Sequence, residues 1–249
     1  MPNMADFKRA ERLEDVAKQT TLDPLAIDEL TDALAWTDAD DRVRVVVIAG
    51  AGKDFCTGLD LTALAEMRDA TVEEQLADAD ALADLFLLMR RLGKPVLAAA
   101  HGNTLAGGCG LASACDVVLA ADDAKFGYPE VKVGFVPAMV MALLRRAVGE
   151  KRALELAITG RTIDAAEAHR IGLVQYVYPA AELEARVEAY AAELAKHSAT
   201  ALAFTKRLTY ETDAASFEAA IRAGVEMNAL ARQTDDFRTG IDRFLKRKR

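Results

Sequence analysis

The sequence predicts an α/β fold that ends in a helical region. Short apolar runs rich in β-branched residues alternate with segments of helical periodicity over most of the chain, whereas only helical periodicity remains after about Pro179. Strands that alternate with helices are typical of parallel strands joined by crossover connections. The 249 residues are 52% hydrophobic, so the chain is long enough and apolar enough to bury its own core.

Three apolar runs carry the strand predictions. They are Val43 to Ala49, Val96 to Ala100 and Val117 to Ala121. Each run is continuous rather than alternating, which is the pattern of a strand covered on both faces. We therefore predict that all three strands are buried on both sides of one sheet.

Two amphipathic helices are predicted around the first strand. The helix before it follows Asp23 as N-cap and Pro24 as first residue, a favourable helix start. In both helices the apolar residues recur at a helical spacing and form one apolar face. These residues are Ile27, Leu30 and Leu34 in the first helix, and Leu82, Leu85, Phe86 and Met89 in the second.

Three further apolar stripes follow Pro179. They are Leu183, Val187, Tyr190 and Leu194; Phe217, Ile221 and Val225; and Phe237, Ile241 and Leu245. The spacing of three or four residues predicts helices with one apolar stripe each. Each stripe needs a covering surface, which is either the core of this chain or another subunit.

Charge and cysteine content exclude several classes of protein. The 31 Lys and Arg residues against 39 Asp and Glu give a net charge of −8, which argues against a broad nucleic-acid surface. The cysteines Cys56, Cys109 and Cys115 form no CxxC pair, and no His has metal-ligand spacing, so we expect reduced thiols and no metal site. The sequence lacks a signal peptide and a membrane-spanning run, so we expect a cytoplasmic protein without membrane contact.

Two glycine-containing turns follow predicted strands. The first covers residues 50–60 (GAGKDFCTGLD), and the second covers residues 101–110 (HGNTLAGGCG), after which we place the first turn of a helix at LASAC. Glycine permits close approach of a ligand, and a helix start offers unpaired N–H groups. Two such turns can direct two N–H groups at one point, the geometry of an oxyanion hole. The alternative is that the glycines only make tight turns.

Glu130 lies in an apolar segment that glycine and proline interrupt, FGYPEVKVGFVP. A carboxylate in apolar surroundings tends toward a raised pKa, which suits proton transfer. The alternative is a surface carboxylate paired with Lys132. The sequence leaves both interpretations open.

Four segments together resemble the enoyl-CoA hydratase/isomerase (crotonase) superfamily, in the order and spacing of that family. They are VVVIAGAGKDFCTGLDL, KPVLAAAHGNTLAGGCGLASACDVVLAADDAKFGYPEVKVGFVPA, TGRTIDAAEAHRIGLVQYV and TDDFRTGIDRFLKRKR. The resemblance implies a spiral core of ββα turns over residues 1–179, with a shortened N-terminal hairpin. It also implies a helical region over residues 180–249 that supports a homotrimer or a dimer of trimers.

The resemblance also implies a substrate and a set of site residues. In this family the thioester carbonyl of an acyl-CoA accepts hydrogen bonds from two backbone N–H groups, which by motif position are those of Leu59 and Gly107. Glu130 matches the proton-transferring carboxylate. The residues implied in binding the CoA portion are Lys18, Thr57, Gly58, Asp60, Gly108 and Arg247. Because CoA is part of the substrate, we expect no separate cofactor.

Two departures from the family pattern bear on the reaction. Gly110 stands where two-glutamate hydratases carry a glutamate, and Ala138 stands at an acidic position of some isomerase relatives. A single carboxylate suffices to take a proton from C2 and return it at C4, so we predict an enoyl-CoA isomerase.

Four alternatives stay open. They are an enoyl-CoA hydratase in which another acid replaces the missing one, a non-catalytic acyl-CoA-binding homologue, another reaction of the superfamily, and a Ser-His-Asp hydrolase. The hydrolase would use His101, Ser113 and Asp116, but the sequence has no G-x-S-x-G motif. We therefore predict that Ser113 is a packing residue.

Overall fold

The computed structural model describes residues 21–247. The predicted N-terminal hairpin and Lys18 lie outside these residues. The strands are β1 (Val46–Ala49), β2 (Val96–Ala100), β3 (Asn103–Leu105), β4 (Val117–Ala121), β5 (Lys125–Gly127), β6 (Thr162–Asp164) and β7 (Tyr176–Tyr178). The helices are α1 (Pro24–Ala39), α2 (Leu61–Glu66), α3 (Val72–Arg91), α4 (Gly107–Ala114), α5 (Ala138–Val148), α6 (Glu150–Thr159), α7 (Ala165–Arg170), α8 (Leu183–Ala195), α9 (Ala199–Glu211), α10 (Phe217–Arg232) and α11 (Asp235–Arg247).

The larger sheet has four parallel strands in the order β1-β2-β4-β7. Strands β2 and β4 occupy its middle and coincide with two of the predicted apolar runs. Val46 lies opposite Val96, and Leu97 lies opposite Val117. Because parallel neighbours need crossover connections, α3 lies between β1 and β2 in the chain, as the alternating pattern predicts.

Strand β1 corrects one prediction. The run from Val43 to Ala49 was expected to be covered on both faces, but only Val46–Ala49 pairs, and Val47 is 41% exposed. The second face of the sheet is covered by α8, which packs on β2 and β4. Strand β1 lies at the edge of the described sheet, beyond that cover.

The main core lies on the other face of the larger sheet. All four apolar positions predicted for the second helix, from Leu82 to Met89, are buried in α3. Helix α1 begins as predicted, because Asp23 Oδ1 accepts a hydrogen bond from Ala26 N at 2.7 Å. Both helices therefore face the core with the residues that the periodicity selected.

A smaller sheet has the order β3-β5-β6, with β3 and β5 parallel and β6 antiparallel to β5. Thr104 of β3 lies opposite Phe126 of β5, and it also forms a parallel bridge with Cys56. Three segments of the chain therefore run side by side in the same direction. This sheet positions the candidate site.

The C-terminal helices differ in how they are covered. Helix α8 buries Leu183 and Val187 against the larger sheet, so the helical region predicted after residue 179 begins with a helix that completes the core. Helices α10 and α11 carry the other two predicted stripes on exposed faces, and Phe217 is 85% exposed. Among residues 21–247, no helix has both the length and the apolar character needed to cross a membrane.

Candidate active site at one edge of the smaller sheet

The candidate site lies where three parallel segments end. Cys56, Thr104 and Phe126 are lateral neighbours in these segments. Parallel segments end at the same edge, and ligands of α/β proteins bind at the carboxyl ends of parallel strands. The residues that follow these three neighbours therefore come to one place.

Those following residues include the three predicted catalytic positions. Leu59 comes three residues after Cys56, and Gly107 comes three residues after Thr104. Glu130 comes four residues after Phe126, at the first turn of a short 3₁₀ helix (Pro129–Val133). The parallel register of the segments thus carries these three positions toward the same edge.

The two glycine turns lie directly against each other. A Cβ atom placed on Gly58 would lie 2.7 Å from the Cβ atom of Ala106 and 3.1 Å from Gly107 N. A Cβ atom placed on Gly107 would lie 3.7 Å from Leu59 N. Gly58 also has φ +101°, a conformation that L side chains rarely adopt. Glycine is therefore required at Gly58 both for the backbone conformation and for the close approach of the turns.

The N–H groups of Leu59 and Gly107 donate no hydrogen bond to another residue within the described range, whereas the N–H groups of Asp60 and Gly110 do. Gly107 is the first residue of α4, so its N–H has no intrahelical acceptor. The two groups thus stand close together and available. This arrangement can bind a carbonyl oxygen that acquires negative charge.

The start of α4 corrects a second prediction. The helix begins at Gly107 rather than at LASAC, so the glycines form its first turn. Close packing explains the choice of residue, because a Cβ atom on Gly108 would lie 2.2 Å from the carbonyl oxygen of Cys56. Glycine is a poor helix former, but it is needed here because the first glycine-containing turn packs directly against the start of α4.

Ala106, the N-cap of α4, has φ 49° and is the one non-glycine residue with positive φ among those described. Such a conformation costs on the order of 1–3 kcal/mol in a non-glycine residue. Its N–H donates to Gly127 O at 2.8 Å, which ties it to the end of β5. The strained residue thus immediately precedes the Gly107 N–H. Sequence reasoning missed this feature, because alanine gives no signal of positive φ.

Glu130 is half-buried, and its Oε2 atom is buried without a hydrogen-bond partner. Burial raises the pKa of the Glu130 carboxyl above its ordinary value. Lys132 is exposed, and Glu130 forms no ion pair with any described residue. The structure therefore does not support the interpretation of Glu130 as a surface carboxylate paired with Lys132.

The position of Gly110 is filled by neighbouring side chains. A Cβ atom placed there would lie 2.2 Å from Val140 Cγ1 and 3.2 Å from Phe86 Cζ. A side chain at this position requires the Val140 side chain to shift. Burial is the main cause of the raised pKa of Glu130, and no second carboxylate contributes to it. Glu130 is thus the carboxylate of the site whose pKa burial raises.

The three hydrolase candidates do not form a triad. Ser113 Oγ donates to Cys109 O at 2.7 Å and lies 3.0 Å from the hydroxyl of Tyr128. His101 Nε2 lies 3.0 Å from Gly52 O. Asp116 instead pairs with Lys206 at 2.8 Å. Each of the three groups has partners of its own.

The residues predicted to bind CoA have different surroundings. Asp60 caps α2 by accepting a hydrogen bond from Thr62 N at 2.7 Å, and the backbone N–H groups there hold the pKa of its carboxyl below the ordinary range. Thr57 is half-buried, and Gly58 and Gly108 lie in the contact between the two turns. A small cavity of about 30 Å³ is lined by Leu22, Pro24, Ile27, Leu59, Asp60, Ala63, Leu64, Met67 and Asp78.

The structure does not describe the side chains of two residues predicted to bind CoA. Lys18 precedes the described residues, and Arg247 is the last residue of α11, whose side chain is not described. Within the described part of the chain, no group of His, Cys, Asp and Glu side chains comes together with the geometry of a metal site.

Comparison with known proteins identifies close relatives. The family model described as enoyl-CoA hydratase/isomerase matches residues 12–249. A relative from Thermus thermophilus that carries an enoyl-CoA hydratase name is 39% identical over 95% of this chain and 93% of its own. The 2,3-dehydroadipyl-CoA hydratase of Escherichia coli K12 is 31% identical over 93% of this chain and 89% of its own. The crystal structure of an enoyl-CoA hydratase from Mycobacterium smegmatis superposes with a TM-score of 0.86 at 31% identity, covering 91% of this chain and 88% of that one.

Proposed function

Because the chain belongs to the enoyl-CoA hydratase/isomerase family and has the crotonase fold, we propose that it adds water to a 2-enoyl-CoA thioester through a bound enolate. The family implies an acyl-CoA thioester substrate. The observation that carries the proposal is the close approach of the Leu59 and Gly107 N–H groups, with the half-buried Glu130 four residues after Phe126 in the neighbouring parallel strand. The names of the relatives favour hydration over the isomerisation predicted from the sequence.

The two N–H groups serve as the oxyanion hole. When the thioester oxygen accepts both hydrogen bonds, negative charge that develops on it during the reaction is stabilised. One donor of this kind contributes about 2.7–4 kcal/mol in a comparable site. Both donors belong to the backbone, so the leucine side chain at position 59 does not affect this role.

Glu130 transfers one proton twice. Its carboxylate takes a proton from water while the water oxygen bonds to C3, and the electrons of the double bond move to the thioester oxygen as an enolate. The protonated Glu130 then gives that proton to C2, which restores the thioester carbonyl and the carboxylate. One O–H bond breaks, and one C–O and one C–H bond form. A single carboxylate is therefore sufficient for the net addition of water.

The second candidate is a double-bond shift, favoured by the surroundings of Gly110. The packing of Val140 and Phe86 against Gly110 leaves no place there for a second carboxylate that would hold a water molecule. In this reaction Glu130 removes a proton from C2 of a 3-enoyl-CoA and returns it at C4, again through the enolate.

The proposal includes binding and assembly. Thr57, Gly58, Asp60 and Gly108 border the path of the CoA portion, and Lys18 and Arg247 supply cations for it. The reaction requires no cofactor besides the CoA of the substrate. The exposed stripes of α10 and α11 form the contacts of a homotrimer or a dimer of trimers, in a protein of the cytoplasm.

The test compares the full chain with Glu130→Gln and with the surface control Glu211→Gln, on a 2-enoyl-CoA and a 3-enoyl-CoA. We expect the native protein and the control to form the 3-hydroxyacyl-CoA, and Glu130→Gln to be about 10²–10⁴-fold slower. Conversion of the 3-enoyl-CoA alone would replace hydration by the double-bond shift. Binding of both thioesters by calorimetry without turnover would make the protein a non-catalytic homologue.

A further inference from the structure

Asp54 is a buried carboxylate in the first of the two glycine-containing turns. Its residue is 5% exposed, and its Oδ1 atom accepts hydrogen bonds from Asn103 N and from Asn103 Nδ2, both at 2.8 Å. No ion pair with Asp54 occurs among the described residues. The carboxylate is thus held by the neutral donors of one residue.

This residue pair joins the two turns that carry the proposed donors. Asp54 lies five residues before Leu59, and Asn103 lies four residues before Gly107. A backbone hydrogen bond also joins these turns, in which Phe55 N donates to His101 O at 2.8 Å. The Asp54–Asn103 contact adds a side-chain link between the turns, beside the contact of His101 Nε2 with Gly52 O at 3.0 Å.

The neighbouring backbone is shaped around this contact. A Cβ atom placed on Gly102 would lie 2.8 Å from Asp54 Oδ1 and 2.1 Å from Lys53 O, and Gly102 has φ +54°. Glycine at this position therefore permits the carboxylate to approach Asn103. The buried Asp54 and Gly102 with its positive φ are thus both needed for the contact with Asn103.

The energetic cost of the arrangement points to a role beyond stability. A buried carboxylate without a cation is expensive to desolvate, and neutral hydrogen-bond donors offset that cost only in part. The separation of Leu59 N and Gly107 N depends on how the two turns are held together. A displacement of about 1 Å in a catalytic arrangement can cost on the order of 10²-fold in rate.

We propose that Asp54 is a positioning residue that fixes the second turn through Asn103 and so sets the spacing of the two oxyanion-hole donors. The inference rests on the proposed function. Asp54 acts through the backbone and does not touch the substrate. Its removal therefore lowers the stabilisation of the enolate more than the binding of the CoA thioester.

The experiment compares Asp54→Ala with Asp54→Asn. Asparagine has an amide oxygen that can accept both hydrogen bonds, whereas alanine has no acceptor. We expect Asp54→Ala to lower kcat about 10- to 100-fold with KM changed less than about threefold, and Asp54→Asn to retain most of the kcat. The control Asp122→Ala removes a comparable bond, from Ala180 N to Asp122 Oδ1 at 3.1 Å, that does not join the two turns.

A second readout reports on the oxyanion hole directly. Acetoacetyl-CoA is an acidic thioester, and the near-ultraviolet absorbance of its enolate measures how strongly the protein stabilises the oxyanion. We expect a strong enolate signal with the native chain and Asp54→Asn, and a signal reduced at least about tenfold with Asp54→Ala. Should Asp54→Ala fail to fold, Asn103→Ala removes the Nδ2 bond alone and is expected to lower kcat about three- to tenfold.

The outcomes separate this inference from the proposed function. A full enolate signal and an unchanged kcat in folded Asp54→Ala would overturn the positioning role and leave the proposed function intact. Absence of the signal and of turnover in the native chain would overturn the proposed function, and the inference with it. A lower melting temperature with unchanged kcat would assign Asp54 to stability only.

Discussion

The sheet edge that carries the site and the C-terminal helices α10 and α11 are completed in different ways. At the sheet edge, three parallel segments of one chain pack in register, and the groups of the site face each other within that chain. In α10 and α11, apolar residues such as Phe217 and Ile221 are exposed. The chain thus supplies both sides of the site but only one side of the helical surface.

The two regions are also recognised in the sequence by different features. At the sheet edge the proposed donors are backbone groups, so the signal lies in absent side chains, at Gly58 and Gly107. In the helices the signal lies in side chains that are present at helical spacing. A substitution that adds atoms is therefore the sharper test of the first region, and one that adds charge is the sharper test of the second.

Among the changes that test this comparison, the largest effect is expected from Gly107→Pro, which removes one proposed donor. Proline is favourable at the first position of a helix, but it disfavours the positive φ of the preceding Ala106, so the circular dichroism spectrum must accompany the rate. We expect kcat/KM to fall about 10²- to 10³-fold. The matched control is Val72→Pro at the first position of α3, which should change kcat/KM less than about twofold.

Activity of Gly107→Pro close to the native level, with the native circular dichroism spectrum, would show that this N–H is not a donor of the hole. A loss equal in Gly107→Pro and Val72→Pro would point to a general effect of proline. Either result would remove the distinction between the sheet edge and the rest of the backbone.

The next effect concerns Lys206, which joins α9 to the core. Its ammonium group is buried and donates to Met89 O at 2.7 Å and to Lys94 O at 2.9 Å, and it pairs with Asp116 at 2.8 Å. We expect Lys206→Met to lower the free energy of unfolding by about 2–3 kcal/mol, since three buried or partly buried oxygens lose a donor. Urea unfolding measures this change.

The control is Lys196→Met, which removes the exposed ion pair with Glu193 and should cost under about 1 kcal/mol. Equal losses in the two variants would mean that the buried contact of α9 contributes no more than a surface pair. In that case the helical region would be held on the core by its other contacts, such as the hydrogen bond from the Tyr210 hydroxyl to Asp116 Oδ1 at 2.8 Å.

The sequence predicted the large, strongly patterned elements and missed the short ones. Strands β2 and β4 agree with the predicted runs, because a continuous apolar run of five residues between breakers has a local signal. Strands β3, β5 and β6 are three residues long, and their pairing depends on contacts between distant segments. The bridge between Cys56 and Thr104, which brings the two turns together, is of this kind.

The candidate site was accessible from the sequence mainly through its glycines and Glu130. The filling of the space at Gly110 by Val140 was not, because it joins two helices that no local pattern relates. The helix start at Gly107 was missed for a local reason, since glycine lowers helix propensity. The partner of the exposed stripes on α10 and α11 remains a prediction, since a stripe shows that a cover is needed and not what supplies it.

A smaller effect is expected from Phe217→Lys on α10. If a second copy of the chain covers this stripe, the charge of Phe217→Lys must be buried on association, and we expect self-association to weaken roughly tenfold or more. Ala219→Lys adds the same charge two residues along the helix, on another face, and serves as control. Sedimentation over a range of concentrations measures both, and equal behaviour of the two variants would exclude this stripe from the contact.

The smallest effect is the pH dependence that Glu130 produces. Burial raises its pKa above the ordinary value, and the reaction needs the carboxylate. Activity is therefore lost as pH falls through the raised pKa, at a higher pH than an exposed glutamate would give.

Stability changes in the opposite sense, because the folded chain binds this proton more readily than the unfolded chain between the two pKa values. The free energy of unfolding thus decreases as pH rises through that window, and Glu130→Gln abolishes this part of the decrease. Urea unfolding of both proteins across the acidic range measures the difference. Identical profiles would mean that the half-buried position of Glu130 does not disfavour its charge, and that the sheet edge is as open to water as the exposed stripes of α10 and α11.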